Sequence, residues 1–115
     1  MLKPDFYAKT IGTDYEDQWF LEIDCDTETM ALILEKCGRY IDYMRTGAEQ
    51  RQNGVFPYVV WITPSEKRKN SIIKHIHTQY PRGPDIFIVI LPDELESLVV
   101  NGAAEYIRKR AVDTS

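Results

Sequence analysis

Apolar and polar positions alternate with a period of two at the start of the chain and switch to a period near 3.6 further on. Residues 5–11, Asp-Phe-Tyr-Ala-Lys-Thr-Ile, read as a strand, and residues 18–24, Gln-Trp-Phe-Leu-Glu-Ile-Asp, as a second one. The polar link Gly12 to Asp17 between them predicts an antiparallel hairpin. From about Thr27 to Arg45 the residues Met30, Ile33, Leu34, Cys37, Ile41 and Met44 fall on one helical stripe. Asp26 or Thr27 is placed to cap that helix, and Gly47 to end it. The stretch Ala48 to Gly54 is polar and reads as a mobile loop. Residues 55–63 are apolar on both faces, which suits an interior strand with Pro57 near its start. Ser65 caps a helix over 66–79 that turns Ile72, Ile73 and Ile76 inward. After the break at Pro81 to Pro84, residues 86–91 make another apolar strand. Pro92-Asp93-Glu94 opens a short helix that Gly102 ends or bends, and Arg108 to Arg110 belong to a helical or frayed tail.

The order is ββαβαβα, an α/β fold whose mixed β-sheet is flanked by helices. Two right-handed crossovers would make part of the sheet parallel. At 115 residues, with 43% hydrophobic and 28% charged positions, the chain suits one domain with one core, over 1–115. No apolar run approaches the ~20 residues that span a membrane, and the first five residues carry no secretory signal. The two cysteines, Cys25 and Cys37, form no CxxC pair and read as free buried thiols in a reducing cytoplasm.

The net charge of −4 does not advertise nucleic-acid binding, but its distribution is uneven. Asp14, Glu16, Asp17, Glu22, Asp24, Asp26 and Glu28 crowd one stretch, while Lys67, Arg68, Lys69, Lys74 and Arg82 crowd another. Two solvated surfaces are the ordinary account of such runs. Glu22 and Asp24 lie two apart in a strand and so share a face, with Leu21 and Ile23 turned the other way. If the hairpin pairs as drawn, Asp5 approaches both from the neighbouring strand. Carboxylates that converge repel one another unless a cation lies between them, and an oxygen-rich site of this kind suits Mg²⁺ or Mn²⁺. Lys36 and Tyr40 fall on one flank of the helical stripe and could reach toward the carboxylates. Lys36 would then steady a water or a phosphate, whereas the plainer account has it snorkel while Tyr40 packs. Lys67, Arg68 and Lys69, at the start of the second helix, stand where ligands of open α/β sheets collect. His75 and His77 are two apart on a helix and share no face, so they read as exposed. Trp19 and Trp61 read as core. No P-loop, GxGxxG or GxSxG is present.

Pro4-Asp5 followed by Glu22-x-Asp24 resembles the PD…(D/E)xK pattern of the restriction-endonuclease-like nucleases. Asp24 stands where that pattern has lysine, and Lys36 on the following helix could take the role. A narrower resemblance runs from Pro4 to about Gly102. Pro4-Asp5, Trp19-Phe20-Leu21-Glu22-Ile23-Asp24, Thr27-Glu28, Lys36, Tyr40, Phe56-Pro57, Val60-Trp61-Ile62-Thr63, Arg68 and Ile86-Phe87-Ile88-Val89 look like the replication-relaxation family of plasmid and mobile-element proteins. The resemblance implies a nuclease-like domain acting on DNA in replication or transfer. Asp5, Glu22 and Asp24 would hold the metal, and Lys36 would assist the attacking water. Lys67, Arg68, Lys69 and Tyr40 would contact DNA. Members of that family carry a winged-helix segment before this region, which is not expected in a chain that starts three residues before its Pro-Asp. A non-cutting module of the same fold, binding DNA or a protein of a replication or transfer complex, is the alternative. A small toxin-like or regulatory protein sharing only the architecture is a third reading.

Overall fold

A computed structural model describes residues 2–11 and 16–113, with the side chains of 110–113 left aside. Strands β1 (Phe6–Ile11) and β2 (Glu16–Ile23) lead into helices α1 (Met30–Thr46) and α2 (Ala48–Asn53). Strand β3 (Tyr58–Ile62), helix α3 (Glu66–Gln79) and strand β4 (Phe87–Ile90) follow. A 3-10 turn at Pro92–Glu94 runs into α4 (Leu95–Asn101) and α5 (Ala103–Asp113). The sheet order is β1-β2-β3-β4, with β1 antiparallel to β2 and the other neighbours parallel. The mixed sheet expected from the sequence is therefore present. Of the expected hairpin link, Gly12 to Tyr15 lies outside the described residues.

Alternation along the strands sorts side chains into two cores. Phe20, Val59, Trp61, Phe87 and Val89 meet α1 and α3 through Ile33, Cys37, Tyr40, Ile41, Ile72 and Ile76. Trp19, Val60, Ile62, Ile88 and Ile90 meet Leu98 and Ala103 on the opposite face. Both tryptophans are core, as expected. The two-sided burial explains why β3 and β4 read as unbroken apolar runs. The 3-10 turn, α4 and α5 cover β3 and β4 on the second face; on β1 Ala8 packs against that core while Phe6, on the same face, is 59% exposed.

Five local readings need correction. Helix α1 starts at Met30, not Thr27, because Asp26 sits at φ 61°, a left-handed conformation that cannot begin a helix. Its cap is Thr29, whose hydroxyl accepts from the Leu32 amide, rather than Asp26 or Thr27. Gly47 ends the helix at φ 74°, as expected. The expected mobile loop after it is instead α2, whose Ala-Glu-Gln-Arg-Gln-Asn are nearly all good helix formers. The Tyr43 hydroxyl donates to Glu49 and the Gln50 amide to the Met44 carbonyl, which pin α2 to the end of α1. Strand β3 begins at Tyr58, three residues later than read, since Pro57 has no N–H to give. Finally, only Cys37 is buried; Cys25 is free and exposed.

Candidate functional site

The carboxyl ends of β2 and β3, with the amino ends of α1 and α3, form a rim built from ion pairs. Glu22 lies on the α1 face of β2 and is 2% exposed. The Lys36 ammonium donates to Glu22 Oε2 at 2.7 Å, and the Tyr40 hydroxyl donates to Oε1 at 2.6 Å. Lys36 and Tyr40 are four apart on α1, so one helix face delivers both. Burial pushes the Glu22 carboxyl above its ordinary value, against the pull of the Lys36 and Tyr40 hydrogen bonds, and nearby Asp5 adds to the rise. Burial raises the Tyr40 phenol too, and the Glu22 carboxylate adds to it. Tyr40 itself is wholly buried and stacks on Phe20 at 5.6 Å between ring centroids.

Asp24 shares the face of Glu22, as the strand period predicts, but turns to different partners. Arg68 grips it from both sides, with Nε to Oδ2 at 2.9 Å and Nη2 to Oδ1 at 3.3 Å. The Thr63 hydroxyl donates to Oδ2 at 2.9 Å, and the Asp26 amide to Oδ1 at 3.0 Å. Burial alone would raise the Asp24 carboxyl; Arg68, Thr63 and the Asp26 amide outweigh it and hold the carboxyl below its ordinary value. Arg68 also donates to the Glu28 carbonyl at 2.7 Å, so one guanidinium clamps the whole turn from β2 to α1 onto α3.

Asp5 lies just before β1 and near Glu22, as the hairpin reading expected, yet it spends Oδ2 on the Ile23 amide at 2.8 Å. The sequence-predicted residues therefore separate into two groups. Glu22, Lys36 and Tyr40 come together with Asp5 alongside, while Asp24 joins Arg68. Among the described residues no group of three or more His, Cys, Asp or Glu stands where it could hold a metal ion. Asp5, Glu22 and Asp24, so engaged, do not fit Mg²⁺ or Mn²⁺ as one ligand set.

The basic stretch divides as well. Lys67 is exposed, but Arg68 faces Asp24 and Lys69 donates to Glu94 at 3.0 Å. His75 and His77 are exposed. Sequence reasoning missed Thr63 and Glu94. Thr63 follows Ile62, and Ile62 pairs with Ile23, so the parallel register alone would have put Thr63 beside Asp24. Nothing local in the sequence joins Lys69 to Glu94. Above Lys36 opens a hollow of about 270 Å³ lined by Leu2, Lys3, Glu28, Leu32, Glu35, Lys36 and Arg39. Arg39 pairs with Glu35 at 2.6 Å and Lys36 with Glu22 at 2.7 Å, so the two α1 cations that line the space are both ion-paired, and Lys3 and Glu28 line it beside them. No helix among the described residues is long and apolar enough to cross a membrane.

No curated protein and no solved structure matches the chain. The replication-relaxation family matches over residues 1–59, a span that holds β1, β2, α1, α2 and thus Asp5, Glu22, Asp24, Lys36 and Tyr40. With more than half its length matched, the chain belongs to the replication-relaxation family.

Proposed function

We propose that this is a cytoplasmic DNA-contacting domain serving plasmid or mobile-element replication or transfer, with a restriction-endonuclease-like core that does not cut. The observation that carries the reading is the position of Lys36. It neutralises the buried Glu22 below while lining, with Lys3, the hollow above it. Ligands of open α/β sheets collect at such carboxyl-end rims, and phosphates are what exposed cations there meet. Lys67, at the start of α3, extends the same rim. Arg68 and Lys69 support the rim through Asp24 and Glu94, so their share in DNA binding is to position it, and buried Tyr40 acts through Glu22. A protein of the replication or transfer complex is the other partner such a rim suits.

One observation favours a second reading, a metal-dependent phosphodiesterase. Asp5, Glu22 and Lys36 adjoin, and in the nuclease pattern those three types serve catalysis. Against it, both Glu22 oxygens already accept hydrogen bonds, from Lys36 and Tyr40.

Fluorescence anisotropy with a labelled duplex and a labelled single strand tests the binding. Affinity should fall as salt rises, and Lys3→Glu and Lys67→Glu should each weaken binding and lower the salt slope by about one. Binding that ignores salt and both variants, or no binding at all, would count against DNA and for a protein partner.

A further inference from the structure

The two edges of the sheet are finished differently. Strand β4 is buried along its whole length, and the Tyr106 hydroxyl donates to the Val89 carbonyl. Among the described residues strand β1 pairs only with β2, and Phe6, Tyr7 and Ile11 on it are 59%, 49% and 75% exposed. The Ile23 amide points toward β1, where Asp5 takes it, and the Asp24 amide points toward β3, where the Ile62 carbonyl takes it. Alternation then turns the backbone groups of Phe6, Ala8 and Thr10 to β2 and those of Tyr7, Lys9 and Ile11 outward. An open edge with large apolar side chains is a template for another strand.

We propose that β1 pairs with β1 of a second copy of this chain, antiparallel, with Tyr7 on the two-fold axis. The axis must stand perpendicular to the sheet, so each residue meets one of its own parity. The registers available centre on Tyr7, Ala8 or Lys9. Centring on Lys9 sets like charges opposite each other, which is unfavourable. Centring on Ala8 sets Lys9 opposite Tyr7. Centring on Tyr7 sets Lys9 of each copy opposite Asp5 of the other, just before β1, so that Asp5 is shared between the Ile23 amide of its own β2 and the Lys9 ammonium across the axis, two opposite-charge pairs from one contact. It also sets Phe6 against Ala8, a large side chain beside a small one, on the face that α4 and α5 leave uncovered. Lysine in mid-edge ordinarily discourages pairing; here Asp5, four residues away, answers it in one register alone. Among the described residues Lys9 makes an exposed 3.3 Å contact with Glu16, which it can exchange for Asp5 of the second copy. The product is one continuous sheet of both four-stranded halves. This inference does not rest on the DNA reading.

Sedimentation equilibrium over a concentration series tests it. The contact is small, so a dimer with dissociation constant on the order of micromolar to tens of micromolar is expected. Lys9→Asp alone and Asp5→Lys alone should each weaken it by about tenfold or more, since two attractive pairs become repulsive. Mixing the two variants should restore a heterodimer. Lys9 is exposed and its variant should fold as the parent does. Independently, amide hydrogen exchange at Tyr7 and Lys9 should slow as concentration rises. A chain that stays monomeric to about 1 mM, a dimer indifferent to Lys9→Asp, a mixture that does not pair, or exchange at Tyr7 that ignores concentration would each overturn the proposal.

Discussion

Glu22 and Asp24 are two residues apart on one face, yet their carboxyls are driven in opposite directions. Glu22 is raised, so its contribution to stability is full below its unfolded value of 4.5 and falls away as pH climbs through the folded value. Asp24 is lowered, so its contribution holds above 3.8 and is lost as pH drops through the folded value. Urea unfolding against pH should show the parent losing ground to Glu22→Gln as pH rises from 4.5 toward neutral. Asp24→Asn should cost about 3 kcal/mol at neutral pH, because it leaves the Arg68 charge half-paired in a buried setting. That cost should shrink in acid, below 3.8. Parallel curves for parent and variants would refute the assignment. The cysteines offer a second contrast. Burial pushes the Cys37 thiol up to about 12, with the Trp61 N–H pulling back and Glu22 adding to the rise, while Cys25 is exposed. A thiol reagent should titrate one cysteine in the native protein and two in denaturant; rapid loss of both would show that α1 does not seal Cys37. At this scale the sequence was only half legible. The strand period put Glu22 and Asp24 on one face, but nothing in their spacing told that Arg68, 44 residues on, would claim Asp24.

Most of the elements were legible because their signals are local. Ser65 caps α3 and Gly47 closes α1 where the residue types say they should. The errors were also local and have local causes: the left-handed Asp26 delays α1, and the helix formers of α2 were masked by their polarity. Gly38 carries a signal that only packing reveals. It sits mid-α1, where glycine is poor, and a Cβ there would come within 2.6 Å of the Tyr80 hydroxyl. That hydroxyl donates to the Leu34 carbonyl at 2.9 Å and so ties the end of α3 to α1. Gly38→Ala should therefore destabilise by about 1–3 kcal/mol despite its better helix propensity, through displacement of Tyr80. Thermal melts of Gly38→Ala with and without Tyr80→Phe check this. A stabilised Gly38→Ala would mean that Tyr80 yields freely.

For the whole molecule, hydropathy alone indicated a sheet with helices on both faces, since the unbroken apolar runs of β3 and β4 needed cover on both sides, although β4 proves to be an edge strand. The parallel register, and with it the meeting of β2 with α3, came from long-range contacts that no short window of sequence records. The proposed function has the acids of this rim neutralised from within by Lys36 and Arg68, with Tyr40 donating a hydrogen bond to Glu22, and has the cations left outward contact DNA without cutting it. Incubation of pure protein with supercoiled plasmid and Mn²⁺, resolved on an agarose gel, tests that claim most directly. The account predicts salt-sensitive retardation of plasmid that stays supercoiled. Nicked or linear product that disappears with Glu22→Ala would contradict it.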